Sequence, residues 1–122
     1  MAKNKPNLNR DERRRAERLI ISLPVVYRQK QKSRWLRAKC KNVSGMGVGI
    51  FTGKPLTPSD KIVVCIGKKT RLMDPFIIHC EVMRSKKVKA GLFEAGLLFV
   101  KIEERDKFFE FICCKMVEKS MD

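Results

Sequence analysis

The chain has 122 residues and a formal net charge of +15 at pH 7, with 43% hydrophobic and 34% charged residues. That length supports one core of its own, and the composition is that of a folded chain rather than a disordered one. The apolar runs at 19–21, 62–66 and 97–100 are far too short to cross a bilayer, and no signal-peptide core follows the basic N-terminus, so membrane insertion is excluded and a cytoplasmic protein is expected.

In chain order, residues 1–11 are polar and aperiodic, which predicts a flexible basic arm ahead of a single domain over 12–122. Residues 12–18 (ERRRAER) suit one helical turn or an extended lead-in. Residues 23–28 (LPVVYR) open with Pro24 and continue in β-branched residues, as expected of a first strand at a sheet edge. After a turn at 29–33, residues 34–41 alternate. Leu36, Ala38 and Cys40 take one face and Trp35, Arg37, Lys39 and Lys41 the other, which predicts a half-buried strand with a basic outer face. Residues 42–47 (NVSGMG) break that strand, residues 48–51 resume it, and 52–60 form a loop. Residues 61–67 predict a strand and 68–74 a turn. Residues 75–84 predict a long strand with Phe76, Ile78, Cys80 and Val82 opposite Ile77, His79, Glu81 and Met83. A basic hairpin tip at 85–91 leads to a last strand at 92–102.

The period then changes. Over 103–120, Phe108, Ile112 and Met116 recur at helical spacing with Phe109 and Cys113 beside them. Acids fill the first turn and lysines the last, matching the helix dipole. Six short strands followed by one helix predict a mainly β protein, a six-stranded antiparallel β-barrel closed by a C-terminal α-helix.

The chain offers little for catalysis. Its five cysteines include no C-x-x-C pair, and His79 is the only histidine, so no metal site is expected. Cys40, Cys65 and Cys80 fall in strands and read as small core hydrophobes. Cys113 and Cys114 are adjacent on the helix, so at most one is well buried. No carboxylate pair or nucleophile–base pattern occurs, and GMGVG (45–49) lacks the lysine of a phosphate loop, so no enzyme is expected.

The charge is more informative. Residues 18–59 carry nine basic groups and no acid, whereas residues 103–122 carry six acids against four bases. Such segregation predicts one strongly positive face and an anionic partner. Residues 13–18 (RRRAER) concentrate four arginines. A guanidinium fork grips phosphate oxygens, or O6 and N7 of guanine. In NVSGMG, the Asn42 amide suits a base edge and the Ser44 hydroxyl a phosphate or base edge. Gly47 admits a close backbone approach or positive φ. Together they describe a site for a guanine-bearing anion. The competing readings are a solvated charge run and a small basic barrel for RNA or single-stranded DNA. Aromatic residues are only 7%, and the basic strand face offers mainly Trp35, which weakens the nucleic-acid reading. Trp35 is expected to pack on the barrel or under the arginine segment.

R-x-x-x-R at Arg14 and Arg18, followed by N-x-S-x-x-G at Asn42, Ser44 and Gly47, resembles the two-part signature of the PilZ domain family. LPVVY after the second arginine and AGLLF (95–99) near the last strand fit the same pattern. Arg10 and Arg14 form a second R-x-x-x-R, but the Arg14–Arg18 pair lies closer to the first strand. The resemblance implies a six-stranded barrel with a helix that binds the bacterial second messenger cyclic di-GMP. It implies that Arg14 and Arg18 contact phosphates and guanine edges, with Arg13 as an additional arginine. Asn42 and Ser44 would hold a guanine, and Gly47 would shape the turn. Asn42 replaces the more frequent acid, which keeps an acceptor for guanine but loses its charge. The implied output is a changed arm conformation read by a protein partner in motility or exopolysaccharide control. A family member that acts by protein contact without ligand is the alternative.

Overall fold

The computed structural model describes residues 20–21, 23–29, 34–71 and 74–121. The basic arm expected at 1–11 and the arginine segment at 12–18 lie outside the described residues. Six strands, β1 (Pro24–Gln29), β2 (Leu36–Val43), β3 (Gly47–Thr52), β4 (Lys61–Ile66), β5 (Phe76–Lys89) and β6 (Leu92–Ile102), precede one described helix, α1 (Arg105–Met121).

All pairings are antiparallel, and the order β1-β2-β3-β6-β5-β4 closes into a barrel. Closure comes from β1 pairing with β4 between Val25↔Ile66 and Gln29↔Ile62. β1 is therefore not the edge strand that Pro24 suggests. The proline tolerates this because it is the strand's first residue, where its missing N–H costs no ladder bond, and its carbonyl accepts from Gly67 N at 2.9 Å. Alternation fills the interior: Val25, Tyr27, Val48, Ile50, Val64, Ile78 and Leu97 are all buried. β5 follows its expected face assignment through Val82 but continues to Lys89, so residues 85–89 are strand rather than hairpin tip. The reversal is confined to Ala90 and Gly91.

The helix covers one end of the barrel. Phe108, fully buried, meets Phe76 at 5.2 Å and Phe99 at 5.6 Å between ring centroids, both edge-to-face. Ile112 joins the same cluster and Met116 packs against it, as the spacing predicts. Phe111, 5.3 Å from Phe76, takes the flank expected of Cys113, which is exposed together with Cys114. Cys40 and Cys80 are buried, but Cys65 faces outward opposite Val26 and is only half-buried, because Ile62, Val64 and Ile66 hold the inward positions of β4. Among the described residues no helix is long and apolar enough to cross a membrane, and no group of three or more His, Cys, Asp or Glu is placed to hold a metal ion.

Thiol reactivity tests this packing. Burial pushes the Cys40 thiol up to about 11 and that of Cys80 up to about 12. Only the thiolate reacts, so both should resist a thiol reagent near neutral pH until the chain unfolds. Exposed Cys113 and Cys114 should react first and Cys65 more slowly, as mapped by mass spectrometry. Prompt labelling of Cys40 or Cys80 in the native protein would contradict a closed interior.

Candidate functional site

The site starts from a break in the pleat of β2. Leu36, Ala38 and Cys40 lean inward, so strict alternation would send Asn42 inward as well. Instead the register shifts between Cys40 and Asn42, with Lys41 as the extra residue. A β-bulge of this kind re-aims the side chains that follow it. Val43 becomes the inward residue and is fully buried, while Asn42 pairs with Gly49 on the outer face.

The turn after Val43 is built by Ser44. Its Oγ accepts from the N–H groups of Met46 (3.1 Å) and Gly47 (3.2 Å), and the hydroxyl donates to the Gly47 carbonyl at 3.4 Å. That uses the full capacity of a hydroxyl, one donor and two acceptor positions. Ser44 is 1% exposed. Its position makes it a builder of the turn, with its hydroxyl engaged by the backbone of its own turn. NVSGMG thus reverses the chain between two paired strands. Gly47 is fixed by close approach and not by positive φ: a Cβ there would lie 2.1 Å from the Leu97 carbonyl oxygen on the neighbouring strand.

Across the sheet from Asn42 lies a row with no side chains in its middle. Asn42 pairs with Gly49, Gly49 with Gly96, and Gly96 with Arg84, spanning β2, β3, β6 and β5. Arg84 reaches the outer face through a second bulge, at Met83, which reverses the parity that Phe76, Ile78, Cys80 and Val82 establish. The outer side chains lean in over the two glycines. Asn42 Oδ1 lies 2.8 Å from where a Gly49 Cβ would stand, and Arg84 Cγ and Nε each lie 3.2 Å from that of Gly96. One end of this shelf is bounded by Phe51 and Glu94. Lys41 Nζ donates to Glu94 at 2.7 Å, and this bond, with Lys86 and Arg84 nearby, holds the Glu94 carboxyl below its ordinary range. The other end carries exposed Met46 and Met83 beside Leu98.

Asn42, Ser44 and Gly47 therefore converge on one turn and the shelf beside it. Arg13, Arg14 and Arg18 lie outside the described residues. The chain leading from them enters at Ile21 and Leu23, which pack against the core. Pro24 pairs with Lys39, so a strand antiparallel to β2 meets the barrel from the end where β2 runs on to Asn42. Trp35 precedes β2 at the opposite end, under the Arg28 guanidinium at 4.9 Å, too far along the strand to stack on a base held by Asn42. Sequence reading missed Arg84, Gly49 and Gly96 as a row. The available signal was the parity switch in β2, from Cys40 to Val43.

Two substitutions test the turn. Ser44→Ala leaves two backbone N–H groups of the turn without their acceptor and should lower stability by about 1–3 kcal/mol in urea unfolding. Gly47→Ala must separate β3 from β6 and should cost at least as much, about 1–3 kcal/mol as overpacking. Equal stability of either variant to the parent would contradict this turn. Glu94 gives a pH signature: its lowered folded value means the pair stabilises above the ordinary 4.5 and is lost as pH falls through the lowered value. The acid limb of the stability profile should therefore be shallower in Glu94→Gln.

Comparison with known proteins agrees with this architecture. No curated protein sequence matches the chain. Among solved structures, the Bacillus subtilis inhibitor of motility (MotI/DgrA) superposes with a TM-score of 0.66 at 14% identity, covering 84% of this chain and 50% of that one. The chain thus spans about half the length of that protein, and the likeness is one of fold. The PilZ domain family model matches residues 12–112, which include both arginine and turn motifs, so the chain belongs to the PilZ domain family.

Proposed function

We propose that this protein is a receptor for cyclic di-GMP that relays occupancy to a protein partner, in motility or exopolysaccharide control. The observation that carries the reading is the N-x-S-x-x-G turn. It sets Asn42 on the outer face beside a two-glycine shelf, at the barrel end where the chain bearing Arg14 and Arg18 joins. Asn42 offers its carbonyl oxygen to the N1–H and N2–H₂ donors of guanine. Ser44 and Gly47 aim it by fixing the turn. Arg14 and Arg18, with Arg13 beside them, supply planar forks for phosphates and for the Hoogsteen edge of guanine. The ligand's two phosphates oppose the positive charge of the N-terminal half and draw the arginine segment against the barrel, which changes the surface offered to the partner. Family membership and the likeness to a motility inhibitor support a signalling adapter; the ligand and partner rest on the residues named.

Calorimetric titration with cyclic di-GMP and cyclic di-AMP, at low and high salt, tests it. Selective binding of cyclic di-GMP is expected, weakened by about 1–3 kcal/mol in each of Arg14→Ala and Arg18→Ala. Absence of binding, or wild-type affinity in both variants, would overturn the assignment. Equal affinity for both dinucleotides with steep loss at high salt would instead indicate a surface for polyanions.

A further inference from the structure

We propose that the tip of the β5–β6 hairpin is a contact site for an anionic lipid surface. Lys86, Lys87 and Lys89 meet the headgroup phosphates, and Val88 enters the boundary beneath them without spanning the bilayer. The proposal is independent of the receptor reading and concerns the end of the barrel away from α1.

The hairpin outruns the barrel. β4 pairs with β5 as far as Lys61↔Glu81 and β3 with β6 as far as Thr52↔Phe93, whereas β5 and β6 pair with each other out to Lys89↔Leu92. The loop after β3 follows β5 a little further: Val82 N donates to the Asp60 carbonyl, and Leu56 N to Ser85 Oγ. From Lys86 to Lys89 every β5 residue is exposed. A two-stranded ribbon is marginal in water on its own, and these four residues add nothing to the core.

The tip carries charge of one sign. Lys86, Lys87 and Lys89, with Lys54 on the turn after β3, are exposed, and none forms an ion pair with a described residue. The carboxylate across from Lys86, that of Glu94, is bonded to Lys41. Every exposed acid among the described residues lies on or beside α1: Asp74, Glu103, Glu104, Asp106, Glu110 and Glu118. That helix packs on Phe76, the first residue of β5, fourteen residues of strand from Lys89. Charge is therefore graded along the barrel, and a negative plane turns the hairpin toward itself and the acids away. Amid the lysines, Val88 is 47% exposed. An apolar side chain ringed by ammonium groups matches the headgroup boundary, where phosphates lie above and acyl chains below.

Lysines also blunt strand edges, but edge protection does not call for a ribbon carried past the barrel. Single-stranded nucleic acid needs exposed aromatic faces, and the ribbon's aromatic residue, Phe93, is half-buried. Reading a duplex in its groove calls for Arg, Asn or Gln, and residues 86–92 hold none. A lipid surface uses the three lysines and the valine together.

Vesicle co-sedimentation tests it, with phosphatidylcholine vesicles with and without phosphatidylglycerol, at low and raised salt, and thermal melts to confirm folding. The protein should bind the anionic vesicles alone and be released by salt. Replacing Lys86, Lys87 and Lys89 together by Gln should weaken binding on the order of 100-fold at low salt, about 5-fold for each lysine. Replacing Lys68, Lys69 and Lys101, exposed near the helix, removes the same charge and should cost much less. Val88→Ala should weaken binding about 4-fold for each methyl group withdrawn from the lipid, with the salt dependence unchanged. No binding to anionic vesicles, or equal losses in the two triple variants, would overturn the proposal. Tighter binding to duplex DNA or to poly-glutamate than to vesicles, lost in the hairpin triple, would assign the tip to that polyanion instead.

Discussion

The pleat is the constraint on which the rest of this structure depends. In a closed antiparallel barrel each residue points in or out, and neighbours alternate without exception unless a bulge intervenes. The inner face here is filled by Val48, Ile50, Ile78, Val82 and Leu97, all nearly or fully inaccessible. Extending the parity of Cys40 would put the Asn42 carboxamide into that packing, and extending the parity of Val82 would put the Arg84 guanidinium there. Burying either without partners is costly, most of all for the charge. One extra residue in each strand, Lys41 and Met83, resolves both conflicts at once. A third register shift, at Val100 on β6, returns Ile102 to the inside, where it pairs with Ile78 below the helix. The bulges are thus what allows one sequence to satisfy a core and to present a polar row.

The row has its own cost. Two glycines facing each other across β3 and β6 remove two outer-face side-chain contacts, and glycine is a poor strand residue on entropic grounds. The inner face offsets this locally. Val48 and Ile50 flank Gly49, and Ala95 and Leu97 flank Gly96, all in the core cluster. The Lys41–Glu94 pair adds a tie from β2 to β6 across the intervening β3 at the edge of the shelf. That pairing also shapes the field. Lys41 is paired with Glu94, so the positive character of the shelf rests on Arg84 and Lys86 on its far side and on exposed Lys39 beside Phe51.

Much of this was legible from the residues. The strands, the inward set on β5 and the packed stripe Phe108–Ile112–Met116 follow from periodicity, because a half-buried strand and a one-sided helix each expose their period directly. The turn was legible as chemistry but not as geometry. Ser44 reads as a contact because a hydroxyl is versatile, and only the fold shows that nearby backbone donors saturate it. The closing β1–β4 pair was hidden, since pairing between strands distant in sequence leaves no local mark, and Pro24 pointed the other way. Arg84 was hidden for a related reason. Its partner Gly96 is twelve residues on, and the hairpin between them reads as a turn because SKKVK holds one apolar residue, Val88, and no alternation. In hindsight the parity switch from Cys40 to Val43 was the readable trace of the first bulge. No equally clear trace marked the second, because Ser85 inside and Arg84 outside reverse no apolar pattern.

The turn and the helix are mechanically joined. The Met46 carbonyl accepts from Phe99 N at 2.9 Å, and the Phe99 ring meets Phe108 edge-on at 5.6 Å. Gly45 and Met46 also line a hollow with Leu98, Arg105 and Phe109. Phe99 belongs to both contacts, one through its backbone and one through its ring. A shift of the turn that kept its hydrogen bond would move Phe99, and Phe108 has no free volume into which to follow, being fully buried. The packing therefore ties the first turn of α1 to the same few residues that position Asn42. The candidate site and the helix therefore share one end of the barrel, and whatever reads the helix surface is two contacts away from the turn that positions Asn42.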